Sequence, residues 1–154
     1  VDKGRQGEAD RVVVDASVVA KWIIPGEPWE REALKLKEDI VIGDMEAYAP
    51  QLLLYEIASV ISTSIRRGIM RFEDGLKALT RLKDLRINIL NTDWDDLTDI
   101  LEISTKTGLT IYDSTYIHLS RRVDGALITV DDELRRRGEE TTRIVHLGEW
   151  SAPI

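Results

Sequence analysis

The sequence predicts an α/β fold built on a mostly parallel central sheet. Val12-Val13-Val14 and Leu127-Ile128-Thr129-Val130 are short β-branched or apolar runs without polar alternation, the mark of strands buried on both faces. Around them, segments with helical apolar spacing alternate with further strand-like runs, which is the pattern of βαβ units. Each of the two runs leads into a carboxylate, Asp15 and Asp131, and open α/β sheets gather ligands beyond the carboxyl ends of their strands.

In chain order, Val1 to Asp10 is rich in Gly and charge and reads as a flexible extension or expression remnant outside the fold. Residues 11–150 read as one domain and 151–154 as a tail. The first strand feeds a short helix, and Pro25-Gly26-Glu27-Pro28 then forces a loop. Trp29 to Ile40 resumes as a surface helix, and Tyr48-Ala49 closes a short strand before Pro50. From there to Arg67 runs the longest helical pattern of the first half, with Leu53, Leu54, Ile57, Val60 and Ile61 apolar and Gly68 as the stop. Phe72 to Leu85 carries Leu76, Leu79 and Leu82 at three-residue spacing, so the two helices read as a hairpin with an apolar groove for a partner helix or a second copy. Ile87 to Leu90 alternates weakly as a strand, and Asp93 to Lys106 is helical up to Gly108. A further helix begins close to Asp113, the strand Gly125 to Val130 follows, then a short helix Asp131 to Arg137 and a last strand Arg143 to Leu147.

At 154 residues, 43% hydrophobic and 32% charged, the chain suits one globular domain with its own core. No apolar run approaches the roughly 20 residues that span a bilayer, and the polar N-terminus lacks the apolar stretch of a signal peptide, so a cytoplasmic protein is expected. The absence of Cys excludes disulfides, thiolate zinc sites and cysteine nucleophiles. With only His118 and His146 as imidazoles, any metal would be held mainly by oxygen. A net charge of -7 argues against a simple polycationic nucleic-acid binder. A carboxylate cluster that binds divalent cations nevertheless reverses its own local charge.

Four acidic residues lie in or against apolar surroundings: Asp15, Glu56, Asp113 and Asp131. Each has a plain alternative. Asp15, Asp113 and Asp131 stand where helix caps stand, and Glu56 could face solvent. On a helix, however, Glu56, Ser59 and Thr63 share one stripe, a narrow polar seam in an apolar element. Asp131 lies nearer the strand end than Asp132. Two acids at strand ends and two on helices packed beside those strands would assemble a shared metal site. Hard oxygen donors suit Mg²⁺ or Mn²⁺, ions that activate water and neutralise phosphoryl charge, and phosphodiester hydrolysis follows as the natural chemistry.

These residues also carry a resemblance. Asp15-Ala16-Ser17 with the following Val-Val-x-Lys-Trp, Glu56 on the helix after a Pro, Tyr112-Asp113-Ser114-Thr115-Tyr116, and Thr129-Val130-Asp131 resemble the motifs of the PIN-domain family, and within it the VapC-type ribonuclease toxins of prokaryotic toxin–antitoxin pairs. The match runs from about Val12 to Leu147. It implies a three-layer α/β/α sandwich, Mg²⁺- or Mn²⁺-dependent endoribonuclease activity, a homodimer, and inhibition by a small cognate antitoxin. Where many relatives carry Asn three residues after the Glu, this chain has Ser59.

The expected site is therefore Asp15, Glu56, Asp113 and Asp131 holding one or two divalent cations, with Ser17, Ser59 and Thr129 as hydrogen-bonding supports. RNA would meet positive charge from Lys21, Arg121, Arg122 and Arg135, with Arg66-Arg67 and Arg136-Arg137 as further basic pairs. An aromatic content of 6% leaves little for base stacking, and Trp22 and Tyr116 read as neighbours of the site or, in preference, as core. A receiver domain would need a Lys after a late strand, which Arg143 to Gly148 lacks, and a haloacid-dehalogenase-type phosphatase would need an acid at Ser17. The remaining alternatives are an RNA-processing PIN nuclease without an antitoxin and a non-catalytic, partner-binding PIN-like domain.

Overall fold

The computed structural model describes residues 9–150. Five strands, β1 (Asp10–Val14), β2 (Met45–Pro50), β3 (Asn88–Leu90), β4 (Ala126–Thr129) and β5 (Ile144–His146), form one sheet in the order β3-β2-β1-β4-β5. Every pairing is parallel. The helices are α1 (Ala16–Val19), α2 (Glu30–Ile42), α3 (Leu52–Arg66), α4 (Phe72–Asp84), α5 (Asp96–Thr107), α6 (Ile111–Val123) and α7 (Asp132–Gly138). A single 3₁₀ turn, Ala20–Trp22, continues α1.

Successive strand residues point to opposite faces, and the two cores follow that alternation. Val12, Val14 and Ile128 face one way and pack with Leu36 of α2 and Leu53, Ile57 and Ile61 of α3. Val13 and Leu127 face the other way and pack with Ile103 of α5, Tyr116, Ile117 and Leu119 of α6, and Leu134 of α7. The β-branched run of β1 is thus buried on both sides, and the architecture is the three-layer α/β/α sandwich.

The chain moves outward from β1 through β2 to β3, then returns to lay β4 on the other side of β1. The winding reverses there, so the crevice beyond the carboxyl ends of β1 and β4 is the topological switch point where such sheets take ligands. Register fixes what meets in it. Val14 pairs with Ile128, and the Asp15 N–H donates to the Ile128 carbonyl at 3.4 Å.

Some expectations need correction. Asp10 belongs to β1 and pairs with Met45, so the strand begins inside the supposed extension. Residues 1–8 and the tail 151–154 lie outside the described residues. β2 starts at Met45, ahead of Tyr48-Ala49, because Met45 and Glu46 pair with Asp10 and Arg11 of β1. On α4 the leucine spacing misleads: Leu76 and Leu79 are exposed, while Gly75 and Ala78 face inward. A Cβ on Gly75 would lie 2.8 Å from Ile61 Cγ2, so this glycine lets α4 approach α3 too closely for leucine. No helix among the described residues is long and apolar enough to cross a membrane.

Candidate active site at the carboxyl ends of β1 and β4

Asp15 leaves β1 in an extended conformation and caps α1, its Oδ1 accepting from the Val18 N–H at 3.2 Å. The helix cap and the buried site residue are therefore one and the same side chain. Ser17 Oγ donates to Asp15 Oδ1 at 2.5 Å and Thr129 Oγ1 donates to Oδ2. These two hydroxyls also accept from the loop after β4, Ser17 from the Val130 N–H at 3.3 Å and Thr129 from the Asp131 N–H at 3.0 Å. The two strand ends are thereby laced together around one carboxyl. Burial pushes Asp15 up to about 6, against the pull of Ser17, Thr129 and the Val18 N–H, and Glu56 adds repulsion.

Asp131 is likewise both cap and candidate, its Oδ1 accepting from Glu133 N–H at 3.0 Å and Leu134 N–H at 3.1 Å. Asp113 is not the cap of its helix. Thr110 is, accepting from the Asp113 N–H at 3.0 Å, which leaves the Asp113 carboxyl in the first turn of α6 and free of the capping role. Glu56 sits on the second turn of α3, half-buried, and accepts from the Tyr116 hydroxyl at 2.6 Å.

The carboxylates act on one another in succession. Glu56 is raised by burial and then by Asp113, against the Tyr116 hydrogen bond. Asp113 is raised by burial, then by Asp131, with Glu133 adding to it. Asp15, Glu56, Asp113 and Asp131 thus form one electrostatically linked row. Among the described residues, no three carboxylates or imidazoles close on a point tightly enough to enclose an ion. Like charges, two of them engaged as helix caps, have reason to stay apart.

The remaining candidates are dispersed. Ser59 is exposed on α3. Lys21 is only 8% exposed, unlike a surface group free to reach for phosphate. Arg121 is paired with Asp99 at 3.4 Å, and Arg122 donates to the Asn91 carbonyl at 3.3 Å at the far end of α6 from Asp113. Arg135 lies one turn from Asp131 on α7 and pairs with Glu149 at 3.1 Å. Tyr116 fits both readings the sequence offered, its ring in the core and its hydroxyl on Glu56, but its contact with Glu56 was not foreseen. The three-residue offset from Asp113 to Tyr116, which puts both on one helix face, was the available signal.

Residues 12–140 match the PIN domain, a span that includes every carboxylate of the row. The chain belongs to the PIN-domain family. This PIN domain is 29% identical over 131 residues to ribonuclease VapC3 of Pyrobaculum aerophilum, covering 82% of this chain and 94% of that one. Among solved structures it is similar to FitAcB from Neisseria gonorrhoeae, with a TM-score of 0.69, 10% identity, and 90% and 99% of the two chains covered. It is also similar to VapBC2 from Rickettsia felis, solved bound to a DNA fragment from their promoter, with a TM-score of 0.66, 13% identity, and 88% and 98% covered. At such identities the structural likeness shows the PIN fold alone.

Proposed function

We propose that this PIN domain is a divalent-metal-dependent endoribonuclease that hydrolyses RNA phosphodiester bonds and serves as the VapC-type toxin of a toxin–antitoxin pair. The observation that carries the reading is the row of four mutually influencing carboxylates at the switch point. Such a donor set fits a hard divalent ion, Mg²⁺ or Mn²⁺, one or two per site, held by Asp15, Glu56, Asp113 and Asp131. When bound, the ion activates water and neutralises charge on the phosphoryl group under attack.

The chain's own contribution is to hold Asp131 and Glu56 by one carboxyl oxygen each. Asp131 Oδ1 takes two backbone N–H groups and Glu56 Oε1 takes the Tyr116 hydroxyl, so Oδ2 and Oε2 remain to act as ligands. Asp15 is the most constrained, with both lone pairs of Oδ1 used and one lone pair of Oδ2 left. Ser17 and Thr129 orient it. The similarity to ribonuclease VapC3 supports RNA as the substrate. The likeness to VapBC2 and FitAcB supports a small antitoxin partner, and exposed Leu54, Tyr55, Phe72, Leu76 and Leu79 on α3 and α4 offer apolar surface for it or for a second copy in a homodimer.

The test is an RNA-cleavage assay with Mg²⁺, Mn²⁺ and chelator, on wild type and Asp15→Asn. Wild type should cut with either metal and stop with chelator, while Asp15→Asn stays folded and inactive. Wild-type cleavage by Asp15→Asn would sink the reading. Growth arrest on expression, relieved by the product of a small neighbouring reading frame, tests the toxin role separately.

A further inference from the structure

We propose that Tyr116 is a positioning residue that fixes Glu56 for cation binding, occupying one carboxylate oxygen and presenting the other. The inference rests on the metal-site reading above and adds a fifth residue to it. Of the four carboxylates, Asp15 is held by a backbone N–H and two hydroxyls, and Asp131 by two backbone N–H groups. Both are short side chains at strand ends. Glu56 has one more rotatable bond and projects from a helix, and among the described residues its side chain has a single hydrogen-bond partner, Tyr116.

That partner is itself immobile. Tyr116 is 3% exposed, and its ring is packed in the core between the sheet and α6 with Val13, Leu127 and Ile117. A phenol has one proton, and the 2.6 Å contact commits it to Glu56 Oε1. Tyr116 stands three residues after Asp113 on α6. One buried hydroxyl therefore ties α3 to α6, the two helices that carry Glu56 and Asp113. A residue that served packing alone would need the ring and not the oxygen.

Tyr116→Phe separates the two roles, because it keeps the ring and deletes only the hydroxyl. Mn²⁺ binding is measured without RNA, from the electron paramagnetic resonance signal of free Mn²⁺ titrated with protein, and folding is followed by circular dichroism. Tyr116→Phe should fold as wild type does and bind Mn²⁺ about 10-fold more weakly or worse, the usual cost of removing a group that orients a ligand. In cleavage assays the deficit should appear as a higher Mn²⁺ requirement, with the rate largely restored at saturating Mn²⁺. In a Glu56→Gln background, adding Tyr116→Phe should change affinity by no more than about two-fold, since both changes act through one ligand.

Mn²⁺ affinity equal to wild type in Tyr116→Phe would overturn the proposal while leaving the metal site intact. A Tyr116→Phe deficit that persists in full beside Glu56→Gln would overturn it too, because the hydroxyl would then act by another route. An unfolded Tyr116→Phe would make the hydroxyl structural and also refute it. Absence of saturable Mn²⁺ binding in wild type would remove the metal-site reading and this inference together.

Discussion

The hydroxyl of Thr129 donates to Oδ2 of Asp15, 114 positions earlier in the chain, and accepts from the Asp131 N–H. One fully buried side chain thus orients the Asp15 carboxylate and holds the backbone that carries Asp131 on the neighbouring strand end. Thr129→Val keeps the shape and deletes both bonds. It should cost about 1–3 kcal/mol in urea denaturation, from a buried carboxyl and N–H left unpaired. RNA cleavage should fall about 10–100-fold, as expected when the support of a metal ligand is lost. Thr129→Ser retains the hydroxyl and should stay near wild type in both measurements.

Asp15 is held near 6 in the fold against 3.8 as its ordinary value. As pH rises between these values, the unfolded chain gives up its proton first, so stability falls across that window and levels off above it. The difference corresponds to about 3 kcal/mol. Asp15→Asn carries no charge to bury, so it should be the more stable protein at neutral pH and lose that advantage below the window. Urea denaturation of both proteins from pH 4 to 8, without metal, checks this. Parallel profiles would contradict it. Adding Mn²⁺ should stabilise wild type and not Asp15→Asn.

For Asp131 the cap and the ligand are separable by chemistry. Asparagine can still accept the Glu133 and Leu134 N–H groups, whereas alanine cannot. Asp131→Asn should therefore keep thermal stability and lose cleavage. Asp131→Ala should lose cleavage and a further ~1 kcal/mol of stability, the usual worth of an N-cap. Equal stability of the two variants would show that the cap contributes nothing.

These residues also explain what could be read from the sequence. The β-branched runs ending in Asp15 and Asp131 announced two buried strands, and the register of Val14 with Ile128 brings their ends together. Cap and ligand stood as competing readings of Asp15, yet its two oxygens let one side chain cap α1 and face the site. The order β3-β2-β1-β4-β5 was not legible, because pairing between segments more than a hundred residues apart leaves no local trace. Lys21 looked exposed by residue type and is buried by its place beside the core. Gly75 hides the packed face of α4 because a missing side chain carries no hydrophobic signal, while Leu76 and Leu79 give a strong one on the outer face.

Among the arginines, position separates Arg135 from Arg122. Nine residues of helix put Arg122 about 13 Å along the axis from Asp113. Arg135 lies one turn from Asp131. Arg135→Ala should raise KM for RNA several-fold and lower the slope of log affinity against log salt by about one. Arg122→Ala should change neither, since it stands at the far end of α6 from Asp113. Fluorescence titrations of RNA at several salt concentrations, in chelator to prevent cleavage, distinguish the two.

The pairing of the first strand with the fourth has a consequence for synthesis. Asp15, Glu56 and Asp113 leave the ribosome before β4 does, and until it arrives Asp15 lacks the Thr129 hydroxyl and the row lacks Asp131. On the reading proposed above, a chain that stops before β4 holds three of the four carboxylates and lacks the support of Asp15 Oδ2, so the site is incomplete until that strand is made.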